Sequence, residues 1–268
     1  MTGRRAIISL CALCALAFCA AAAQTAAGAT LGTTAFTCKK LGKPQDFTKA
    51  HCKGADLSPG NGEYGHVAIP ENTTTEVYAT NAATGANTET SVLTTLHSVQ
   101  AGITFEIQAK SIHGEGWLTN AKDPVTGEHY VHGEIVLNDT EAEVVKPAGK
   151  GCKIKGGKIV SEKLKATTKG QGMALKVEPA AGALISKFEV EGCSIAALNG
   201  AYELKGSAKC KWDGATCYFN PADTTTEGTL TLRGQKAGVE NVLTITGKDA
   251  PKGDTEYTPI SVTTVETP

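Results

Sequence analysis

The sequence predicts an all-β fold: an antiparallel β-sandwich or jelly-roll-like arrangement, in one large domain or two small packed ones, stapled by disulfides. Three observations predict it. Apolar residues recur at every second position in several rows. Threonine, whose branched Cβ suits a pleated strand and penalises a helix, is abundant. Six cysteines remain once an apolar N-terminal segment is set aside.

That segment comes first. Met1–Arg5 carries Arg4 and Arg5, Ala6–Ala23 is uncharged and apolar apart from Ser9 and three cysteines, and small residues include Ala21-Ala22-Ala23 and Ala27-Gly28-Ala29. A positive start, an apolar stretch and an A-x-A site read as a secretory signal peptide over residues 1–29, cleaved near 23 or 29. Cleavage leaves no stable membrane span. It also removes Arg4 and Arg5, lowering the formal charge from −1 by two. Cys11, Cys14 and Cys19 leave with it. The remaining Cys38, Cys52, Cys152, Cys193, Cys210 and Cys217 are an even set in an exported chain, which reads as a disulfide framework. Six cysteines allow 15 pairings. Near neighbours close most easily, giving Cys38–Cys52, Cys152–Cys193 and Cys210–Cys217. No C-x-x-C pair survives in the mature chain, so a zinc reading of these thiols has little support.

The mature chain then reads in steps of two. Ile103, Phe105, Ile107 and Ala109 form one row; Met173, Leu175 and Val177 another; Leu184, Ser186, Phe188 and Val190 a third. Val239, Asn241, Leu243 and Ile245 form a fourth, and Leu230 with Leu232 a shorter one. Each puts one dry face and one wet face on a strand. Thr73–Thr75 and Thr224–Thr226 read as edge strands or exposed loops. Turn chemistry punctuates the rows at Gly60-Asn61-Gly62, Asp123-Pro124, Gly156-Gly157 and Lys248–Gly253. The linker-like composition of Lys146–Gly151 suggests an N-terminal β region, 30–145, and a C-terminal β region, 146–268. A single fold drawing strands from both is the competing arrangement. His51 and His66 read as loop residues.

From Cys152 onward, the phrases CKIKGGKIVSEKLKATTKGQGMALKVEP, FEVEGC, LNGAYELKGS and TLRGQKAGVENVLTITG resemble a group of uncharacterised secreted β-rich proteins of soil actinobacteria. The N-terminal C-(x13)-C segment with DFTKAHC, and GEYGHVAIP after it, is similar too. The resemblance implies a secreted, disulfide-bearing β protein and supplies no activity, ligand or catalytic residue. Cys210 and Cys217 stand outside its pattern, which favours their pairing to each other.

Two constellations could carry chemistry. His113-Gly114-Glu115 and His132-Gly133-Glu134 flank the turn at Asp123-Pro124. A hairpin centred near Pro124, pairing residues whose numbers sum to about 248, would bring His113, Glu115, His132 and Glu134 together. They could then hold a divalent metal or act as acid–base partners. The plainer reading is a set of polar residues on the wet face of a sheet, and it outweighs the metal reading. The second constellation is the short loop from Cys210 to Cys217, with Trp212 inside it and Tyr218 beside it. Rings on a disulfide-closed loop could stack on sugars or anchor a protein; a Trp212 that merely covers the disulfide is the commoner case.

The balanced charge, 26 Lys+Arg against 27 Asp+Glu, argues against nucleic-acid binding. No P-loop, dinucleotide fingerprint or G-x-S-x-G elbow occurs, so no cofactor is implied. Asn72-Thr73-Thr74 and Asn138-Asp139-Thr140 match the glycosylation sequon, a weak signal. The sequence therefore points first to a secreted, non-enzymatic protein with an extracellular or cell-envelope interaction or structural role. Cell-wall polysaccharide or another envelope protein is the partner class this leaves open. A polysaccharide-acting hydrolase or carbohydrate-binding module, and a metal-binding exported protein using the His-Gly-Glu segments, are the alternatives.

Overall fold

A computed structural model describes residues 30–49, 52, 57–85, 88–91, 93–213, 216–219, 228–247 and 258–266. The predicted signal peptide, His51, Thr224–Thr226 and the Lys248–Gly253 turn lie outside them.

The strands run β1 (Thr30–Phe47), β2 (Leu57–Ala68), β3 (Thr75–Thr80), β4 (Ala82–Gly85), β5 (Thr88–Ser91), β6 (Thr94–Gln100) and β7 (Ile103–Ala109). Next come β8 (Ile112–Lys122), β9 (His129–Asp139), β10 (Ala142–Lys146), β11 (Lys153–Ile154), β12 (Ile159–Val160), β13 (Leu164–Thr167) and β14 (Ala174–Pro179). Then follow β15 (Leu184–Glu191), β16 (Gly200–Lys205), β17 (Ala208–Asp213), β18 (Thr216–Phe219), β19 (Thr231–Leu232), β20 (Gln235–Gly247) and β21 (Thr258–Glu266). Helix among the described residues amounts to two single turns, Lys155–Gly157 and Ala196–Leu198. The fold is all-β, almost wholly antiparallel, and stapled as the composition predicts.

The pairing adds closure to that picture. In the order β8–β9–β13–β14–β17–β18–β20–β3, each strand is antiparallel to the next, and β3 pairs back onto β8. Eight strands closed this way leave an interior just wide enough for side chains, or for one small ligand. Glycine permits the tight coiling. A Cβ on Gly116 would collide with the Glu134 carbonyl, and one on Gly133 with the Trp117 carbonyl, so the β8 and β9 backbones approach where only glycine fits. Strands from both sides of Lys146–Gly151 share this barrel; that stretch simply joins β10 to β11.

The long strand β20 serves two cores. Its C-terminal half completes the barrel, while Ala237–Glu240 pair with β6 and Gln235-Lys236 with β19. Around that first half, β10–β7–β6 lie on one side and β11–β15–β16–β19 on the other. Val77, Leu118, Val131, Trp212, Phe219 and Leu243 pack inside the barrel. Phe105, Phe188, Leu198, Tyr202, Leu230 and Leu232 are among those filling the second core. Three rings stack there: Tyr202 lies on Phe105 at 5.1 Å and on Phe188 at 5.6 Å. Its hydroxyl donates to the Leu198 carbonyl at 2.9 Å.

Polar side chains dock β1 on the barrel end. Asn120 accepts from the Ala35 N–H at 2.8 Å and donates to the carbonyls of Ala35 and Ile69, at 3.0 and 2.7 Å. Thr33 bonds Thr168, whose hydroxyl accepts from the Val131 N–H at 2.9 Å. Two sequence readings change here. Gly60-Asn61-Gly62 lies inside β2 rather than between strands: Gly62 pairs with Gln45 of β1, across an irregular register in which Gly60 keeps a left-handed backbone at φ +73°. His66 is a strand residue packed against the rings of Phe36 and Phe47, at 5.2 and 4.8 Å, not a loop residue. Its burial pushes the imidazole pKa down.

Candidate functional site

Where the barrel meets the second core, alternating strands turn apolar faces toward each other without filling the space between. The result is a cavity of about 170 Å³. Leu96, Ile107, Leu137, Phe219, Val239 and Leu243 supply much of its wall. A smaller cavity, about 80 Å³, lies next to it inside the barrel, with Leu137, Val177, Phe219 and Leu243 common to both linings. A dry engineered cavity of about 150 Å³ takes up benzene or xenon, so the larger space is of ligand size.

Four polar residues interrupt the apolar lining: Thr94, Asp139, Ser161 and Ser186. Ser161 is used, its hydroxyl accepting from the Leu137 N–H at 2.8 Å. The other three are each more than nine-tenths buried, at 8 %, 5 % and 3 % exposure. Thr94 Oγ1, Asp139 Oδ2 and Ser186 Oγ have no hydrogen-bond partner. Leaving a buried polar atom unbonded costs roughly 1–3 kcal/mol. Three such atoms, of six among the described residues, therefore belong to residues that line this one cavity.

Asp139 ends β9. Its Oδ1 accepts from the Glu141 N–H at 3.0 Å, which turns the chain toward β10. Burial drives its carboxyl above the ordinary range, with the Glu141 charge adding to it; the backbone N–H groups of Glu141 and Ser111, and His113, pull the other way. It is the one titratable side chain among the lining residues. No second carboxylate faces it there, so the paired acids of glycoside hydrolysis are not assembled in this cavity.

The His-Gly-Glu pair is placed differently from expectation. β8 and β9 do form the hairpin, but paired numbers sum to 251, not 248. His113 stands opposite Asn138, Glu115 opposite Val136, Glu134 opposite Trp117 and His132 opposite Thr119. His113 and His132 are thus offset by six positions, roughly 20 Å along the strand. The four do not converge on a metal, and no group of three or more His, Cys, Asp or Glu able to hold one occurs among the described residues. The reason lies in the turn. Asp123 Oδ1 accepts the N–H groups of Val125 and Thr126, at 2.8 and 2.9 Å, and the Asp123 N–H bonds the Glu128 carbonyl. This fixes a loop offset from Pro124. Lys169 pairs with Asp123 and holds its carboxyl far below the ordinary range.

In the Cys210–Cys217 loop the plainer reading holds and the display of rings does not. All three pairings form, with Cα–Cα distances of 5.7 Å for Cys38–Cys52, 4.1 Å for Cys152–Cys193 and 5.4 Å for Cys210–Cys217. Trp212, however, is only 5 % exposed and packs in the barrel core with that disulfide. Both belong to inward-facing positions of the β17–β18 pair, so the indole is not displayed. Tyr218, opposite Lys211, is 39 % exposed on the outer face. The two rings point to opposite sides and cannot form one platform.

Sequence reading missed Thr94, Asp139 and Ser186. A signal was present: Ser186 interrupts the apolar row Leu184, Ser186, Phe188, Val190, and Asp139 ends the inward row Val131, Gly133, Ile135, Leu137. A polar residue in an inward row is what such a site would show.

The chain matches no protein-family model, no curated protein and no solved structure.

Proposed function

We propose that this chain is an exported, non-enzymatic binding protein of the extracellular or cell-envelope space that holds a small, mostly apolar molecule inside its β framework. The apolar cavity of about 170 Å³ between the two cores carries this reading. The disulfide framework supports the exported setting, since such bonds persist in oxidising compartments. The interaction role expected from sequence thereby moves from surface to interior. The His-Gly-Glu face and the Trp212 loop lose their place in it.

Melting in buffer saturated with toluene tests the proposal. A ligand that binds only the folded state stabilises it by RT ln(1 + [L]/Kd), about 2.7 kcal/mol at a hundredfold excess over Kd. The expected result is a rise in melting temperature that Ala208→Leu, which fills the cavity wall, abolishes. An unchanged melting temperature in the parent protein contradicts it.

A further inference from the structure

The cavity is apolar except at Thr94, Asp139, Ser161 and Ser186, and Thr94, Asp139 and Ser186 keep unbonded oxygens: three of the six buried side-chain polar atoms without a partner among the described residues, the others being on His66, Asn138 and Trp212. Resting on the small-molecule reading above, we propose that the occupant is a small alcohol or phenol whose hydroxyl bonds Asp139 together with Ser186 or Thr94.

The chemistry of the three oxygens selects a hydroxyl. A carboxylate oxygen wants a donor, while a serine or threonine hydroxyl both gives and takes. A ligand O–H can donate to a carboxylate such as Asp139 and accept from a hydroxyl such as Ser186 or Thr94 of the same cavity lining. A pure hydrocarbon leaves all three unsatisfied. A ketone only accepts, so it leaves the ionised Asp139 carboxylate without a donor. A carboxylic acid would bring a second acid beside Asp139, with no cation in the lining to balance it. An amine would need a fully desolvated ion pair, whose desolvation can exceed its attraction. Size sets the remainder of the molecule. A space slightly larger than one that accepts benzene takes roughly six to eight non-hydrogen atoms. The hydrocarbon part would lie against Leu137, Phe219, Val239 and Leu243.

The experiment measures affinity for two molecules of one shape, cyclohexanol and methylcyclohexane, in the parent protein, Ser186→Ala and Asp139→Asn. Ser186→Ala removes an unbonded hydroxyl and preserves the fold. Asp139→Asn keeps Oδ1 for the Glu141 N–H and replaces the other acceptor with a donor. The expected result is that Ser186→Ala weakens cyclohexanol about tenfold and leaves methylcyclohexane within about twofold, since one such hydrogen bond is worth about 1.4 kcal/mol. Asp139→Asn should weaken cyclohexanol and strengthen cyclohexanone. If both variants change the alcohol and the hydrocarbon alike, the hydroxyl assignment is overturned and the apolar-binding reading stands. If the parent protein binds neither molecule, both are overturned.

Discussion

Asp139 on β9 and Ser186 on β15 belong to the wall of one apolar cavity, and each keeps a buried oxygen without a hydrogen bond. Neither is needed there to build a sheet, because the inward positions beside them are filled by Leu137, Phe188 and Val190. Their cost to the ligand-free protein is what makes them informative, and it can be measured.

Ser186→Ala and Thr94→Val should each raise stability by about 1 kcal/mol, since each deletes an unsatisfied buried hydroxyl at nearly constant shape. Chemical-denaturation midpoints check this. A loss of stability in either variant would mean that its hydroxyl is bonded in the folded protein.

Acidity should act on two aspartates in opposite senses. The Asp139 carboxyl titrates above its ordinary value when folded, so the native state holds its proton longer than the unfolded chain does. Its effect is a fall in stability as pH rises from about 3.8 through the higher native value. Asp139→Asn should remove that fall. Asp123, held low first by Lys169 and then by the Thr126 and Val125 N–H groups, contributes above the ordinary carboxylate range and loses its contribution as pH drops below it. Asp123→Asn should flatten the acid side of the stability profile. Melting curves from pH 3 to 8 on the three proteins would show both effects.

Trp212→Ala should destabilise the fold by roughly 3–5 kcal/mol, the range for a large aromatic lost from a core, because the indole packs inside the barrel. A surface ring would leave melting unchanged, and that result would contradict the placement of Trp212.

Replacing both Cys210 and Cys217 with alanine should cost about 2.5 kcal/mol from the reopened short loop in the unfolded chain. Packing loss adds to this, because both sulfurs are buried. The double variant compared with the parent under reducing and oxidising conditions separates the covalent part.

Gly133→Ala and Gly127→Ala provide an internal contrast. At Gly133 a methyl would meet the Trp117 carbonyl in the hairpin itself, whereas Gly127 has open space and only a left-handed backbone at φ +75°. Gly127→Ala should cost about 1 kcal/mol, and Gly133→Ala considerably more. Equal costs would mean that the β8–β9 backbones are not so closely coiled.

The alternating rows were enough to read strands at Ile103–Ala109 and Leu184–Glu191, because period two survives in any half-buried sheet. The even cysteine set, with neighbour pairing, yielded the disulfides. Closure into a barrel was not legible, since it depends on which distant strands pair, such as β3 with β20. The hairpin at Asp123 was legible but its register was not. Three residues of loop offset, set by one aspartate side chain, separated His113 from His132. The cavity was least visible of all: it is a volume between two cores, and its only trace in the sequence is a serine and an aspartate in inward rows.

A crystal structure of the protein soaked in cyclohexanol tests the central claim most directly. The account predicts a ring between Leu137, Phe219, Val239 and Leu243, with its hydroxyl within hydrogen-bond distance of Asp139. A cavity filled instead by ordered waters bonded to Asp139, Ser186 and Thr94, unchanged by the soak, would contradict it.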